Sequence, residues 1–526
     1  MKTKMRRNLC LVLAISLLFT VLTGCGKKKK VGMFESDMPT GVVSYPIKTD
    51  ETLTFWCELP AAIATDVVNF GDTNFAKDLE KKTGIKIEYV HPAAGTAAES
   101  LQLMMASGKT TDMIQYGWLN LGPQSYIDNM QIFDIGEIMD AGYTPHLEKF
   151  LNENEDIKKM VKSDSGKYYA FPFVRNDDIL LTSTGFMLRS DWLEADGLEV
   201  PETIDEWTDV LKAFKKRCNT PLAVPPYALR HFAGGFDAYY GAYIKNGKIV
   251  YGPIENNFKN YLAKMNEWYE AGYIDKNYAI ADGASINANI LNGKAGVTFG
   301  AGGSGMGAFL TEKKGTAFDL AAAPYPSSKK GEPAKFGSKE AKYGLGGVAI
   351  TTTCKNPALA ARFLDYGYSE EGHMTYNFGK EGSSYKMVDG YPTYDTSITA
   401  NKDGKSMSQM LAHNCRAGVY GPFVQDKRYI EQFYSMPQQQ DALVQWSSCK
   451  MEDYMIPQII LTAEEKDDYS AIMGEVSTYV DEMYNKFITG QEPLSKFDDF
   501  VAEVKRLGIE DAIAIRQAAY ERYLKR

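Results

Sequence analysis

The sequence predicts an α/β fold with a parallel, doubly wound sheet. Short apolar strands alternate with amphipathic helices from about residue 51 onward, which is the order that a parallel sheet requires. Glycines follow the apolar stripes where each helix is expected to end. The chain also has 526 residues, more than one hydrophobic core accommodates, so we expect two large lobes or more.

The first elements follow one another as two repeats of the strand and helix scheme. Phe75 and Leu79 lie at helical spacing, and the residues after Gly84 alternate between apolar and polar as in a half-buried strand. The predicted order is strand Leu53 to Cys57, a helix ended by Gly84, strand Ile85 to Val90, a helix through Met105 ended at Gly108, and strand Asp112 to Tyr116.

A second region begins near Val174 and contains more helix. Pro201 breaks the chain and Thr203 caps a helix whose apolar face is formed by Ile204, Trp207, Leu211 and Phe214. The later predicted elements are a helix ended by Gly272, a helix, turn and strand before the glycine-rich loop Gly300 to Met306, a strand at Tyr343 to Thr351, a helix with Pro357 in its first turn, and a mostly helical last hundred residues.

The N-terminal residues have the pattern of an export signal. Four cations precede Leu9 to Leu22, an apolar run of roughly 14 residues, whereas a transmembrane helix needs about 20. The stretch from Leu22 to Cys25 resembles a bacterial lipobox, in which the cysteine receives the lipid. We therefore predict a signal peptide over residues 1–24 and lipidation at Cys25; a plain signal peptide with a chance cysteine is the alternative. Residues 25–50 are predicted to be the lipidated N-terminus and a flexible tether.

Charge and motifs exclude several classes of function. The formal net charge is −9, and removal of the signal's four cations leaves about −13, which argues against nucleic acid as a partner. The glycine-rich loop lacks a phosphate-binding motif and instead predicts a backbone that crosses a cleft or packs close to a ligand, where a side chain would not fit. Scattered Cys and His residues predict isolated thiols or one disulfide, no metal and no cofactor. No nucleophile motif stands out, although a glycosidase carboxylate pair stays open.

The candidate ligand contacts follow predicted strands. Ligands of open α/β sheets bind beyond the carboxyl ends of strands, where Trp56 and Trp118 stand, and Trp446 lies in a polar stretch. Each of these indoles either stacks on a ligand or packs in a core. The run after Val174 either binds hydroxyl pairs or forms a surface turn. The predicted contacts are Trp56, Glu58, Tyr116, Trp118, Asn120, Arg175, Asn176, Asp177, Tyr239 and Trp446.

Several collinear stretches cover nearly the whole mature chain and resemble one family. They include FAKDLEKKTGIKIEY, LMMASGKTTDMI, GKYYAFP, LRSDWLEADGLEVPETIDEWTDVLKAFK, NEWYEAGYID, NGKAGVTF, NPALAARFLDYGYSEEGHMTYNFGKEGSSY and FITGQEPLSKFDDFVAEVKRLGIEDAIAIRQAAYERY. Together with the lipobox they are similar to the extracellular solute-binding lipoproteins of the family-one type, in the large oligosaccharide-binding subgroup of carbohydrate ABC importers. Lys109 to Asp112 departs from the Asp-Leu-Pro-Asp that the family usually has there.

The resemblance implies a two-lobe periplasmic-binding-protein-like fold of type II with hinge strands between the lobes. The implied division is 51–172 mostly lobe 1, 173–300 mostly lobe 2, 301–370 hinge crossings and lobe 1 return, and 371–526 a C-terminal helical region packing across both lobes. Binding would close the lobes by a hinge motion. The family's ligand residues vary with substrate, so no fixed motif transfers.

The function that the resemblance implies is capture of an oligosaccharide and its delivery to the permease of an ABC importer. The protein would be a non-enzymatic monomer, held by its lipid at the outer face of the cytoplasmic membrane of a Gram-positive bacterium. Three alternatives stay open on the sequence: a lipid-anchored glycoside hydrolase or lyase, a binding protein for peptides or another solute, and a structural surface protein.

Overall fold

The computed structural model of the protein describes residues 29–31, 34–344 and 346–526. The predicted signal peptide and the predicted lipid attachment point Cys25 lie outside the described residues. Among the residues that are described, no helix is both long enough and apolar enough to cross a membrane.

The described chain alternates short strands with helices of very different length. The strands are β1 Lys29–Val31, β2 Phe34–Ser36, β3 Thr52–Trp56, β4 Lys86–Val90, β5 Met113–Tyr116, β6 Val174–Arg175, β7 Thr184–Arg189, β8 Ala242–Lys245, β9 Lys248–Tyr251, β10 Val297–Ala301, β11 Leu320–Ala323, β12 Gly347–Ile350, β13 Tyr385–Val388, β14 Tyr391–Tyr394 and β15 Val424–Gln425.

The α-helices are α1 Asn74–Thr83, α2 Ala97–Ser107, α3 Pro123–Asp128, α4 Ile135–Asp140, α5 Pro145–Glu153, α6 Glu155–Met160, α7 Ser190–Asp196, α8 Ile204–Phe214, α9 Asn256–Glu270, α10 Gly283–Leu291, α11 Ala308–Glu312, α12 Pro357–Asp365, α13 Glu370–Phe378, α14 Thr396–Thr399, α15 Met407–Asn414, α16 Lys427–Phe433, α17 Pro437–Ser447, α18 Ala463–Thr489, α19 Phe497–Arg506 and α20 Ile509–Leu524. Single turns of 3-10 helix lie at Ala61–Ile63, Phe70–Asp72, Trp118–Leu121, Asp178–Leu180, Gly252–Ile254, Tyr278–Ile280, Tyr366–Tyr368, Met451–Asp453 and Leu494–Lys496; a longer one spans Pro226–Phe236, and a π-helical turn spans Gly302–Gly307.

The first sheet has the strand order β12-β5-β3-β4. Strand β3 pairs in parallel with both β4 and β5, which confirms the predicted parallel arrangement of these three strands. Gly84 and Gly108 end α1 and α2 in the left-handed conformation, as predicted, because glycine has no Cβ to clash there. The fourth strand, β12, comes from far along the chain and pairs antiparallel with β5.

The second sheet differs from the first because it is antiparallel. Strand β7 lies in its centre and pairs with β10 on one side and β11 on the other, both antiparallel. The parallel scheme inferred from the first repeats therefore does not extend to this part of the chain. Helix α8 packs here through the predicted apolar face, and Thr203 caps it by a reciprocal bond with Glu206.

Two large hydrophobic cores organise the described residues. The first surrounds the β12-β5-β3-β4 sheet, and the second surrounds the β10-β7-β11 sheet and includes side chains of α17 to α20. The last helix also reaches the first part of the chain, where the Arg522 guanidinium donates to Asp164 at 2.8 Å. These contacts agree with a helical C-terminal region that touches both halves. The predicted residue boundaries of the lobes stay a prediction.

The segment before β3 differs from the predicted flexible tether. Gly41 and Ile47 donate backbone hydrogen bonds to the carbonyls of Gly142 and Thr83, each at 2.8 Å. The Tyr45 ring packs edge-on against Tyr366 with centroids 5.0 Å apart. This stretch is thus held on the first core, because it contributes an aromatic ring and backbone partners that composition alone does not reveal.

The cysteines in the described part of the chain form no disulfide: Cys57, Cys354, Cys415 and Cys449 are buried and Cys218 is half-buried. Burial raises the pKa of the Cys57 thiol to about 11, which disfavours the reactive thiolate. Within the same described ranges, no group of three or more His, Cys, Asp and Glu side chains is placed to hold a metal ion.

Candidate ligand-binding site

A cavity of about 290 Å³ lies where the chain passes from the first core to the second; we call it the interlobe cavity. Phe173 belongs to the first core, and the Ser183 carbonyl accepts a backbone hydrogen bond from Gly302 beside the second sheet. The lining residues are Phe173, Arg175, Ile179, Leu180, Thr182, Ser183, Gly418, Val419, Tyr420, Gln425, Tyr429, Ile430 and Tyr434.

Strand pairing brings the two walls of the interlobe cavity together. The short strands β6 and β15 run parallel, with Val174 opposite Val424 and Arg175 opposite Gln425. The Val174 amide also donates to the Phe423 carbonyl at 3.1 Å. Two segments about 250 residues apart in sequence are therefore held side by side at the interlobe cavity.

Aromatic rings form much of the wall contributed by the second segment. Tyr420 is 42% exposed, and its ring meets Phe173 edge-on with centroids 5.4 Å apart. Burial raises the pKa of Tyr434, while the Gly303 amide, which hydrogen-bonds to it, opposes that shift. The Tyr434 hydroxyl therefore stays protonated at neutral pH and can both donate and accept. Such rings with polar edges suit the mixed C–H and hydroxyl surface of a sugar.

One buried polar group in the interlobe cavity has no partner among the described residues. The side chain of Thr182 is 2% exposed, and its Oγ1 makes no hydrogen bond within the described part of the chain. Leaving a buried hydroxyl unpaired costs free energy, so such a group in a native structure points to a partner that arrives from outside. Gln425 donates its amide nitrogen to the Ala417 carbonyl, which leaves its side-chain oxygen as an acceptor.

The charge of the interlobe cavity is balanced. Arg175 is the charged member of the lining, and its guanidinium is paired with the Glu340 carboxylate. The same guanidinium donates to the Leu180 carbonyl at 3.4 Å. The cation is therefore held in place and neutralised, and the cavity offers hydrogen-bonding groups without an excess of either sign.

Ion pairs cross between the chain segments around the cavity. The Lys339 ammonium, nearly inaccessible to solvent, lies 2.8 Å from Glu452 and 3.3 Å from Asp178. Burial disfavours its charged form, but the two carboxylates outweigh burial and raise the pKa of Lys339. Lys427 pairs with Asp177 at 3.2 Å. The crossing segments are thus tied to one another by charge as well as by backbone pairing.

The structure places one predicted contact residue, Arg175, in the lining of the interlobe cavity. Its neighbour Asn176 is exposed and donates to Asn154 at 3.1 Å. Asp177 caps the turn Asp178–Leu180 in addition to pairing with Lys427. The contacts of Asn176 and Asp177 are those of the surface turn, one of the two alternatives for this run, and hydroxyl binding by Arg175 stays a prediction.

The predicted tryptophan contacts lie in the cores. Trp56 and Trp118 are 3% and 1% exposed, and the Trp118 indole donates to the Ile114 carbonyl at 3.2 Å. Trp446 is fully buried, and its indole donates to the Phe186 carbonyl at 3.3 Å. In this conformation these indoles present no face for stacking, so core packing, the alternative weighed for each, describes their present contacts.

The remaining predicted residues lie outside the cavity lining. Glu58 and Asn120 are exposed, and half-buried Tyr116 has its ring 6.2 Å from that of Trp56. Tyr239 stacks on Phe336 with centroids 5.1 Å apart. A role for any of these side chains in ligand contact stays a prediction.

The glycine-rich segment forms a helical turn whose backbone lies against protein side chains, and its predicted passage across a cleft or close to a ligand stays a prediction. A Cβ on Gly302 would lie 2.8 Å from the Tyr434 ring, and one on Gly307 would lie 2.4 Å from the Gln439 side chain. Gln439 also donates to the Gly302 carbonyl at 2.8 Å. The glycines therefore let the segment that carries Tyr434 pack closely on the second sheet.

Sequence reasoning missed Thr182, Tyr420, Gln425 and Tyr434. Thr182 lies far from the other three residues in the chain. The strand β15, whose pairing with β6 brings the two segments together, is only two residues long. No periodicity marks a strand of that length. The one available signal was Thr182 itself, a polar residue shortly after the apolar run that precedes β7.

Comparison with known proteins places the chain among bacterial binding proteins. The model of the family described as bacterial extracellular solute-binding protein matches residues 71–374. The fructooligosaccharide ABC transporter substrate-binding protein FusA of Streptococcus pneumoniae is 22% identical over 99% of both chains. Lipoprotein LipO of Bacillus subtilis is 23% identical over 82% of this chain and 86% of its own.

The fold agrees with these matches. The solved structure of Streptococcus pneumoniae FusA in complex with kestose superposes with a TM-score of 0.67 at 20% identity, covering 90% of this chain and 100% of that chain. This likeness confirms the predicted two-lobe binding-protein fold with its helical C-terminal region. By the family match over more than half of its length, the chain belongs to the bacterial extracellular solute-binding protein family.

Proposed function

We propose that this protein captures a neutral oligosaccharide in the interlobe cavity and delivers it to the permease of an ABC importer. The observation that supports this best is the unpartnered, buried Thr182 hydroxyl in a cavity walled by tyrosines between two cores. FusA, similar over nearly its whole length, is a fructooligosaccharide-binding protein of such a transporter by its name. A sugar supplies both the hydroxyl partner and the C–H faces that this lining suits.

The charge of the interlobe cavity favours a neutral sugar over an acidic one. Binding a carboxylate tightly requires an Arg or Lys that is free to pair with it. Arg175 is already paired with Glu340, so a uronate there would meet a neutralised cation. Hydroxyl groups, in contrast, can bond to Thr182 and Gln425 without displacing an ion pair.

Binding without hydrolysis is part of the proposal. Glycosidases generally use two Asp or Glu side chains that flank the scissile bond. The residues that line the interlobe cavity include no carboxylate. Incubation with the bound oligosaccharide should therefore yield no shorter product, and product formation at this cavity would contradict the proposal.

Closure of the two halves on the ligand is the proposed signal to the permease. The crossing segments around Arg175, Lys339 and Tyr420 would act as the hinge, because they join the two cores at the cavity. Small-angle scattering of the monomer should show a smaller radius of gyration once a saturating oligosaccharide is added. An unchanged radius would argue against closure.

Lipid attachment at Cys25 is proposed from the lipobox, with LipO, a lipoprotein by its name, as support. Two or three acyl chains hold a protein stably at a bilayer, whereas one does not. In cells, Cys25→Ala should move the protein from the membrane fraction to the medium. Retention of that variant in the membrane would contradict lipidation at this position.

Calorimetric titration tests the cavity. The wild type should bind kestose or another short neutral oligosaccharide and should bind trigalacturonate far more weakly. Thr182→Val removes a hydroxyl that has no protein partner, so affinity should fall about threefold to tenfold while stability is kept. Tyr420→Ala should lower affinity further by removing a wall of the cavity.

Thr478→Val is the matched control for the titration. Its hydroxyl bonds to the Gly474 carbonyl on the exposed side of α18, away from the cavity lining. This variant should bind as the wild type does. If Thr182→Val and Tyr420→Ala also bind like the wild type, the ligand occupies another place.

A further inference from the structure

A second cavity, of about 260 Å³, lies within the second half of the protein; we call it the arginine cavity. Helices α18 and α20 and the hairpin β8–β9 enclose it, and it shares no lining residue with the interlobe cavity. Three tyrosines and a methionine supply apolar surface: Tyr240, Tyr251, Tyr469 and Met473. Its volume is just below the usual range of small-molecule pockets, which begins near about 300 Å³.

Two guanidinium groups line the arginine cavity, and they differ in how they are paired. Arg230 lies 3.9 Å from the centre of the Tyr240 ring and 2.8 Å from the Asp481 carboxylate. Its Nε is nevertheless buried without a hydrogen-bond partner among the described residues. Arg516 contacts the Tyr469 hydroxyl at 3.5 Å and makes no ion pair within the described part of the chain.

The arginine cavity therefore has an excess of one positive charge, although the whole chain is acidic at −9. Asp481 balances Arg230, and no acidic side chain belongs to the lining to balance Arg516. A guanidinium in a partly desolvated site binds carboxylate oxygens strongly, often through two parallel hydrogen bonds. The charge thus indicates a ligand with one negative group.

A hydroxyl group adds a second requirement. Tyr251 is 6% exposed, and its hydroxyl makes no hydrogen bond within the described residues. The buried Arg230 Nε is a polar atom of this lining without a protein partner, and the Tyr251 hydroxyl is a further hydrogen-bonding group of the same lining that is not itself sealed from solvent. A ligand that satisfies both needs hydrogen-bonding atoms besides its charge, and a body small enough to lie against the tyrosine rings.

We propose that the arginine cavity is a second binding site, for a monocarboxylate of about one sugar ring such as a hexuronic acid. The carboxylate pairs with Arg516, the ring hydroxyls bond to Tyr251 and the Arg230 Nε, and the ring rests on the tyrosines. This site is separate from the interlobe cavity and does not depend on what that cavity binds. The protein thereby responds to a small acidic sugar independently of its oligosaccharide.

Titration of the whole mature protein with three small molecules tests this site. D-galacturonate has the ring and the carboxylate, D-galactose has the ring alone, and acetate has the carboxylate alone. D-galacturonate should bind, and the other two should bind at least about tenfold more weakly, because each lacks one set of charged or polar contacts. Absence of galacturonate binding, or equal binding of acetate or galactose, overturns the proposal.

Two variants locate the binding. Arg516→Gln should weaken galacturonate binding about tenfold or more, because it removes the unpaired cation. Tyr251→Phe removes only a hydroxyl without a protein partner, so the fold is kept while affinity falls. Arg217→Gln, at a surface pair with Asp196, is the control and should bind normally. Wild-type affinity in both Arg516→Gln and Tyr251→Phe would overturn the assignment.

The interlobe cavity provides the internal reference. Kestose binding should be unchanged in Arg516→Gln and Tyr251→Phe, because neither residue lines that cavity. Loss of galacturonate binding with intact kestose binding supports a second site. Loss of both would indicate damage to the fold or a shared site, and would overturn the proposal.

Discussion

The Arg362 guanidinium donates a hydrogen bond to the carbonyl of Pro39, which lies 323 residues earlier in the chain. A second bond from the same nitrogen reaches the Gly142 carbonyl at 3.3 Å. Arg362 is fully buried in α12, so this contact fastens the segment before β3 to the interior of the first core. The chain is therefore held on the first core from about Pro39 onward, well within the residues 25–50 that were expected to include a flexible tether.

Replacement of Arg362 by Leu should release the N-terminal segment. The Pro39 carbonyl loses its Arg362 donor and the Gly142 carbonyl keeps only its bond from the Gly41 amide, so the free energy of unfolding should fall by about 1–3 kcal/mol. Limited proteolysis should then cut between residues 36 and 47 at concentrations that leave the wild type intact. Arg217→Leu, at a surface pair, is the control and should change stability by less than about 1 kcal/mol. If Arg362→Leu resists the protease as well as the wild type does, Arg362 does not hold the N-terminal segment on the first core.

Asp365 should make stability fall as pH rises from about 4 to about 7. Burial raises the pKa of Asp365 to about 7, although the amides of Leu147 and His146 and the nearby Arg362 oppose this shift. The unfolded carboxyl titrates near 3.9, so within this window the folded state holds a proton that the unfolded state has released. The free energy of unfolding should therefore decrease by up to about 1.4 kcal/mol per pH unit and level off above about pH 8.

Urea unfolding of the wild type and Asp365→Asn between pH 5 and pH 8.5 checks this. The variant cannot titrate at position 365, so the difference in unfolding free energy between the two proteins isolates Asp365. Burial lowers the pKa of His146, which makes the free energy of unfolding rise with pH. His146 is present in the wild type and in Asp365→Asn, so its effect cancels in the difference. A difference that does not change with pH would show that Asp365 titrates normally.

The first repeats of strand and helix could be predicted because their signals are local. Gly84 follows the last turn of α1 and adopts φ 74°, and the strand after it alternates as a half-buried strand should. Thr203 and Glu206 likewise mark the start of α8 within four residues. Each of these signals acts over one turn of helix, so composition and spacing were sufficient to place the elements.

The candidate site could be predicted only in part because its walls meet through distant pairing. Arg175 was found from its position after an apolar run, whereas Gln425 lies opposite it through a strand of two residues. Trp118 shows the converse: it follows a strand as a ligand contact would, yet its indole turns inward to the Ile114 carbonyl. The direction of a side chain depends on bonds that position along the chain does not encode.

Gly185→Ala should destabilise the second half strongly. A Cβ at this position in β7 would lie 2.2 Å from the Trp446 indole nitrogen, and neither the strand nor the fully buried indole has room to move. Overpacking of this kind typically costs about 1–3 kcal/mol, so thermal unfolding should occur several degrees lower.

Gly283→Ala is the matched control for that variant. Gly283 begins α10, and a Cβ there meets no atom within 4 Å. It should leave stability unchanged or raise it by about 0.4–1 kcal/mol, since alanine restricts the unfolded chain. Equal melting temperatures for the two alanine variants would mean that Trp446 does not pack against β7 as described.

Glu340→Gln should shift ligand preference toward acidic sugars. The substitution keeps the size of the side chain but removes the carboxylate that neutralises Arg175, so the interlobe cavity gains a free cation. Affinity for trigalacturonate should rise at least about threefold relative to kestose at low salt, and the gain should shrink as salt screens it. The double variant Arg175→Gln, Glu340→Gln restores neutrality and should restore the original preference. If Glu340→Gln discriminates between the two sugars as the wild type does, the Arg175 and Glu340 pair does not set the charge that the ligand meets, and the choice of a neutral oligosaccharide must rest on other groups.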